Sequence, residues 1–269
     1  MVEVKSLRKS YEDVVAVADV SFVAGKGVTV LIGPNGAGKT TTLKCIAGIV
    51  RPDGGKISIF GKKISEVKDD IFLLPEDRKV FRKLRISDYE KLLSLIYPNW
   101  DTKLFGKLLA HFSIPRNRKM EELSAGMKTQ LLMAVAYSSG ANLVLLDEPT
   151  QHLDPVKVNE IETMIRHMGE ERVVIVSSHH LEEVEYFSDE FVLINEGRVI
   201  YADSIDGAKE KHRVVPQDTV TDEDEIIGLL EGGILVRTEE EKGRHPRLRE
   251  IVLAYLSRGK KTLEPFFEI

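Results

Sequence analysis

The sequence predicts an α/β fold: a parallel-sheet core with an N-terminal antiparallel β subdomain, a helical insert and a small α+β C-terminal extension. Three observations predict it. Continuous apolar runs of strand length recur at Val28-Thr-Val-Leu-Ile32, Leu143-Val-Leu-Leu146 and Val173-Val-Ile-Val176, the pattern of strands covered on both faces. The last two flank a stretch in which Val158, Ile161, Ile165 and Met168 recur at helical spacing, and strand, helix, strand in that order implies parallel pairing through a crossover helix. The first run ends in a glycine-rich turn, followed by breaker-free residues from Lys39 to Ala47 that read as a helix.

The elements follow in chain order. Val2-Glu-Val, Val14-Val-Ala-Val-Ala and Val20-Ser-Phe-Val are short apolar runs broken by polar residues, and read as strands of an antiparallel, hairpin-like sheet. A helical insert spans residues 78–135, with Leu and Ile at mixed helical spacings and Pro98 and Pro115 as breaks. The core domain is placed at residues 1–204 and the extension at 205–269. In the extension, the acidic patch Asp222-Glu-Asp-Glu225 reads as a solvated helix start, and Pro246 starts a helix with Leu248, Ile251, Val252 and Tyr255 on one face.

The chain has 269 residues, 42% of them hydrophobic and 30% charged, the balance of a globular protein. Its net charge of −5 argues against nucleic acid as a partner, since phosphate contacts need a basic face. The longest apolar run, Leu131 to Tyr137, is far below the roughly 18 residues of a membrane span. The first residues show no basic-then-apolar leader, and the single Cys45 fits a reducing compartment.

Residues 33–40, Gly-Pro-Asn-Gly-Ala-Gly-Lys-Thr, match the pattern G-x-x-x-x-G-K-[ST] between an apolar strand and a helix. Such a match arises by chance about once in 100 chains of this size. Glycines let backbone N–H groups turn around a phosphate, and the helix N-terminus adds its positive dipole end. Lys39 then reaches the β- and γ-phosphates, and the Thr40 hydroxyl sits on Mg²⁺. Asp147 and Glu148 leave a buried strand where α/β sheets place ligands. Asp147 is expected to hold Mg²⁺, through water, and Glu148 to accept a proton from, or polarise, an attacking water. Alone the pair could equally cap the next helix; the phosphate loop upstream decides for the functional reading. Leu123-Ser-Ala-Gly-Met-Lys128 offers either an ordinary serine cap or an anion site. His179 ends the last buried strand at the same edge, a place for a γ-phosphate contact.

Taken together these motifs resemble the nucleotide-binding domain of ATP-binding-cassette (ABC) proteins, a P-loop NTPase fold, over roughly residues 2–202. The carriers are residues 33–40, Leu123-Ser-Ala-Gly-Met127, Leu145-Leu-Asp-Glu148, His152-Leu-Asp154 and Ser178-His179, in the family's order and spacing. The resemblance implies an ATPase subunit that drives transport through an integral membrane subunit on another chain, at the cytoplasmic face of the membrane. It implies ATP and Mg²⁺ as cofactors. ATP is bound by Tyr11, which stacks on adenine, by Gly33, Pro34, Asn35, Gly36, Ala37, Gly38, Lys39, Thr40 and Thr41, and by Glu76. Mg²⁺ is held by Thr40, Asp147 and Glu76, and catalysis falls to Glu148 and His179. It also implies a head-to-tail dimer with itself or a paralogous ATPase, in which Ser124, Ala125, Gly126 and Met127 close on the partner's nucleotide and Asp154 lies in a dimer loop. Three positions depart from the family pattern: Ala125 and His152 replace small residues, and Glu76 stands where glutamine is usual. The segment Phe81-Arg-Lys-Leu-Arg-Ile-Ser-Asp-Tyr89 resembles the one that receives a short helix from the membrane subunit. The competing class is a soluble ABC ATPase of DNA repair, translation or cofactor assembly. The 84 residues from Thr40 to Ser124 hold no heptads for a coiled coil, and there is one cassette. A kinase or GTPase explains residues 33–40 but not the rest, and no N-K-x-D motif reads guanine.

Overall fold

The computed structural model describes residues 1–78, 81, 83–151 and 153–258. The chain divides into two compact units, Met1–Ala202 and Asp203–Ile269. The first unit runs β1 (Val2–Tyr11), β2 (Val14–Ala24), β3 (Gly27–Ile32), α1 (Lys39–Ile46), β4 (Gly54–Ile59), β5 (Ile71–Leu74), α2 (Ile86–Ile96), α3 (Thr102–His111), α4 (Ala125–Ser138), β6 (Leu143–Asp147), α5 (Pro155–Gly169), β7 (Val173–Ser178), α6 (Leu181–Phe187), β8 (Glu190–Asn195) and β9 (Arg198–Ser204). Among the described residues these strands form one nine-stranded sheet in the order β4-β1-β2-β9-β8-β3-β7-β6-β5. β8, β3, β7, β6 and β5 are parallel, while β1 pairs antiparallel with β2 and β4.

The parallel strands form where the sequence offers unbroken apolar runs. Every residue of β6 and β7 is buried, as is all of β3 after Gly27. Each fully buried Val, Leu or Ile contributes about 1.5–3 kcal/mol relative to exposure. The polar residue inside β3, Thr29, is buried with its hydroxyl donating to Glu190 Oε2 at 3.3 Å. α5 starts at Pro155, capped by the Asp154 carboxylate accepting from Lys157 N at 3.1 Å, and it buries Ile161, Ile165 and Met168. α4 is buried over most of its length, Thr129 to Ala136 included, as befits a helix without a polar face.

Two apolar runs expected as separate strands, residues 14–18 and 20–23, instead form the single strand β2. Asp19 between them does not break it. Its N–H and that of Ala18 both donate to Gly197 O, at 3.0 and 2.8 Å, and these bonds hold the backbone extended through the polar residue.

Register aligns the strand ends. Ile32 pairs with Ser178 and with Leu193, and Asp147 pairs with Ser177. The residues that follow β3, β6 and β7 therefore emerge side by side at one carboxyl edge, where ligands bind in parallel sheets.

The second unit holds α7 (Ile205–Lys211), β10 (His212–Val215), β11 (Glu225–Leu230), β12 (Gly233–Arg237) and α8 (Leu248–Ser257). Its antiparallel sheet has the order β10-β12-β11. Gly228 lets α8 lie against β11, since a Cβ there would stand 3.1 Å from Ala254. The acidic patch at 222–225 is not a helix start. The Asp224 carboxylate accepts from Thr221 N at 2.8 Å and from Lys242 at 2.6 Å, closing a turn that leads into β11. Nor does Pro246 start a helix: α8 begins at Leu248, capped at Arg247, whose N–H donates to the Glu250 carboxylate at 2.8 Å.

Candidate functional site

The loop between β3 and α1 takes a shape that only glycine allows at two points. A Cβ on Gly33 would lie 2.1 Å from Ile194 O, and one on Gly38, whose φ is +102°, would lie 2.4 Å from Ala16 O. The loop is thus pressed between β8 and β2, and α1 starts at Lys39 with its N-terminal N–H groups open to an anion. Lys39 is 6% exposed and donates to Gly33 O at 2.7 Å and to Pro34 O at 3.2 Å. Burial holds its pKa below the ordinary lysine value, opposed by Glu148, Asp147 and Glu76.

Thr40, at the second position of α1, donates its hydroxyl to Asp147 Oδ1 at 3.0 Å. The same oxygen accepts from Ser177 Oγ at 2.6 Å, a consequence of the pairing of Asp147 with Ser177 in the sheet. Asp147 and Thr40 thereby set two hard oxygen donors side by side, the donor type that Mg²⁺ takes.

Glu148 is the first residue beyond β6. It is 5% exposed and adopts φ +48°, a left-handed conformation uncommon outside glycine. Its N–H donates to Ser177 O at 3.2 Å and to Ser177 Oγ at 3.0 Å. Its Oε2 lies 2.8 Å from His179 Nδ1, and its Oε1 4.0 Å from the Lys39 ammonium. His179 stacks on His180, ring centres 4.0 Å apart.

A cavity of about 520 Å³ is lined by Tyr11, residues 14–16 and 35–41, Glu76 and Glu148. Tyr11 is half exposed at the end of β1, with Lys9 Nζ 5.5 Å from its ring centre. Ser124 to Met127 do not line this cavity. They begin α4, where Ser124 Oγ accepts from Met127 N at 3.2 Å, and Gly126 faces Leu153. Asp154 pairs with Lys157 at 2.9 Å. His152, and Arg82 of the segment 81–89, lie outside the described residues.

Two residues of this cluster had no role in the sequence reading. Ser177 was visible only as a polar residue ending an apolar strand. Arg78 is 9% exposed; its Nη2 donates to Glu148 O at 2.7 Å and its Nη1 to Glu76 O at 3.2 Å. The one available signal was a cation two residues past Glu76 in an otherwise acidic turn.

A family model described as ABC transporter matches residues 17–151. The chain is 30% identical over 218 residues to the ABC transporter ATP-binding protein YtrB of Bacillus subtilis (strain 168), covering 79% of this chain and 75% of that protein. It is 32% identical over 215 residues to the lantibiotic transport ATP-binding protein SrtF of Streptococcus pyogenes, covering 78% and 93%. A solved ATP-binding subunit of an ABC transporter superposes with a TM-score of 0.71 at 27% identity, over 78% of this chain and 92% of that one. A dimeric ATP-binding cassette bound to ADP and Pi superposes with a TM-score of 0.68 at 20% identity, over 76% and 98%, a likeness of fold.

Proposed function

The chain belongs to the ABC transporter family of ATP-binding subunits and is an ATPase; from that premise we propose that it hydrolyses ATP at the sheet edge around Lys39, Asp147 and Glu148 and thereby drives a separate membrane-spanning subunit. The observation that carries this reading is the position of Glu148, a buried carboxylate bonded to His179 on one oxygen and 4.0 Å from Lys39 on the other.

The N–H groups of residues 33–41 and the Lys39 ammonium are placed to hold the β- and γ-phosphates, and Tyr11 offers an aromatic face for the base. Thr40 and Asp147, with Glu76 on the cavity wall, would hold Mg²⁺, which neutralises charge on the phosphate oxygens. Glu148 takes the proton of a water whose oxygen bonds the γ-phosphorus as the β–γ bridging P–O bond breaks; ADP and phosphate leave. His179 orients the Glu148 carboxylate through Oε2.

Dimerisation through Ser124–Met127 of a second copy or a paralogue is supported by the exposed Ser124 at a helix start, outside the cavity it would have to close. Docking of a membrane subunit is supported by Phe81 and by the stripe Leu92, Leu95 and Ile96 on α2, exposed large apolar side chains at helical spacing. No helix among the described residues is long and apolar enough to cross a membrane. We propose that the chain sits on the cytoplasmic face of its membrane-spanning partner. Residues 205–269 then serve dimerisation or regulation.

The test is the association of the E148Q variant. It is expected to sediment as a dimer with saturating Mg-ATP and as a monomer with ADP. A chain that stays monomeric with Mg-ATP overturns the dimer reading.

A further inference from the structure

Arg78 lies in the turn after β5, and its guanidinium reaches across 70 residues of sequence to the main chain of Glu148. At Glu148 the backbone is held from both sides. Ser177 accepts its N–H, and Arg78 Nη2 donates to its carbonyl. These bonds bracket a residue at φ +48°, a strained conformation that persists only where the surroundings impose it. An arginine with 9% exposure is itself costly to bury, and Arg78 Nε has no hydrogen-bond partner among the described residues. A group that is expensive to bury and incompletely satisfied is not placed there for stability.

Arg78 also brings a positive charge among three carboxylates. Glu76, Glu148 and Asp147 all act on its guanidinium. Lys39 also stands in this cluster, 4.0 Å from the Glu148 carboxylate. Glu76 lines the cavity beside the phosphate-binding loop, and Arg78 Nη1 donates to its main-chain carbonyl at 3.2 Å, tying that turn to Glu148.

We infer that Arg78 is a positioning residue for hydrolysis: by clamping the Glu148 carbonyl to the turn that carries Glu76, it holds the Glu148 carboxylate where it can accept the proton of the attacking water. This rests on the reading of Glu148 as the proton acceptor. Arg78 touches neither nucleotide nor water in this account, and acts through Glu148 alone.

The full-length chain carries the test, with R78M removing the donors and R78K keeping the charge and one donor. Mg-ATP affinity and single-turnover hydrolysis are measured for each, alone and combined with E148Q. R78M is expected to lower the hydrolysis rate about 100-fold, the scale of a misplaced reacting group, with Mg-ATP affinity held within about threefold. R78K is expected to recover part of the rate. In the E148Q background R78M should add no further loss, because its effect runs through the removed carboxylate. A structural role would instead weaken ATP binding in both backgrounds and lower the residual E148Q rate; that result overturns the inference, as does an R78M chain with wild-type hydrolysis. E148Q with wild-type turnover removes the proton-acceptor reading and Arg78 with it. An inactive E148Q beside a fully active R78M removes only the role of Arg78.

Discussion

At the carboxyl edge of the nine-stranded sheet, Lys39, Arg78, Asp147 and Glu148 are all 9% exposed or less, and Glu148 and Arg78 both have left-handed backbones. In the second unit the ion pairs Lys211–Asp203, Arg244–Glu250 and Arg258–Glu225 keep their cations about half exposed. Its most deeply buried polar ring, His212, has both nitrogens engaged inside the unit, Nδ1 with Ala208 O at 2.7 Å and Nε2 with the Tyr255 hydroxyl at 3.1 Å. One region concentrates buried charge and backbone strain where a ligand with its own charges would enter. The other engages both nitrogens of its buried ring from within and keeps most of its ion pairs near water, where each is worth little, the pair of Lys242 with the buried Asp224 carboxylate excepted. The contrast separates groups held for chemistry from groups held for folding.

Substitutions sharpen it in order of effect. E148Q preserves shape and removes the proposed proton acceptor, so its turnover is expected to fall about 10³-fold while nucleotide affinity and melting temperature stay near wild type. Steady-state phosphate release beside nucleotide binding checks this, and unchanged turnover would erase the functional meaning of the buried edge. K39A is expected to weaken Mg-ATP binding by roughly 100-fold, the scale of losing a charged hydrogen-bond donor to phosphate. Because it also removes a buried ammonium, its apo melting temperature should not drop; titration calorimetry and a thermal scan read the two quantities. The smallest effect is in the second unit. Burial holds the His212 pKa below the usual histidine value, although the Ala208 carbonyl opposes the shift. A lowered folded-state pKa means that stability is fully present above the unfolded value of about 6.5 and declines as pH falls toward the folded one. The protection factors of β10 and α8 amides, which divide out the intrinsic pH dependence of exchange, should therefore fall as pH drops below about 6.5, and H212Q should abolish that fall. A pH response confined to the sheet edge would reverse the comparison.

Much of this was legible in the chain. Nearly unbroken apolar runs marked β3, β6 and β7 because a strand buried on both faces admits few polar side chains and bonds those it has, as Thr29 is bonded to Glu190, and Ile161, Ile165 and Met168 marked α5. The glycine pattern at 33–38 marked the loop because its shape is local. What was not legible comes from far away in sequence. Asp19 stays extended only because Gly197 accepts from it, and the patch at 222–225 becomes a turn because Lys242 reaches Asp224. Arg78 and Ser177 carry no motif; their roles exist only once residues 70 and 30 positions distant meet them.

The pairing of Asp147 with Ser177 has one more consequence. Side chains alternate between the two faces of a strand, so a slip of β6 against β7 by a single residue would turn Asp147 away from Thr40 and carry Glu148 with it. Misassembly of the sheet and loss of the proposed ATPase site are thus the same event. A wrongly zipped copy is silent, and it wastes no ATP.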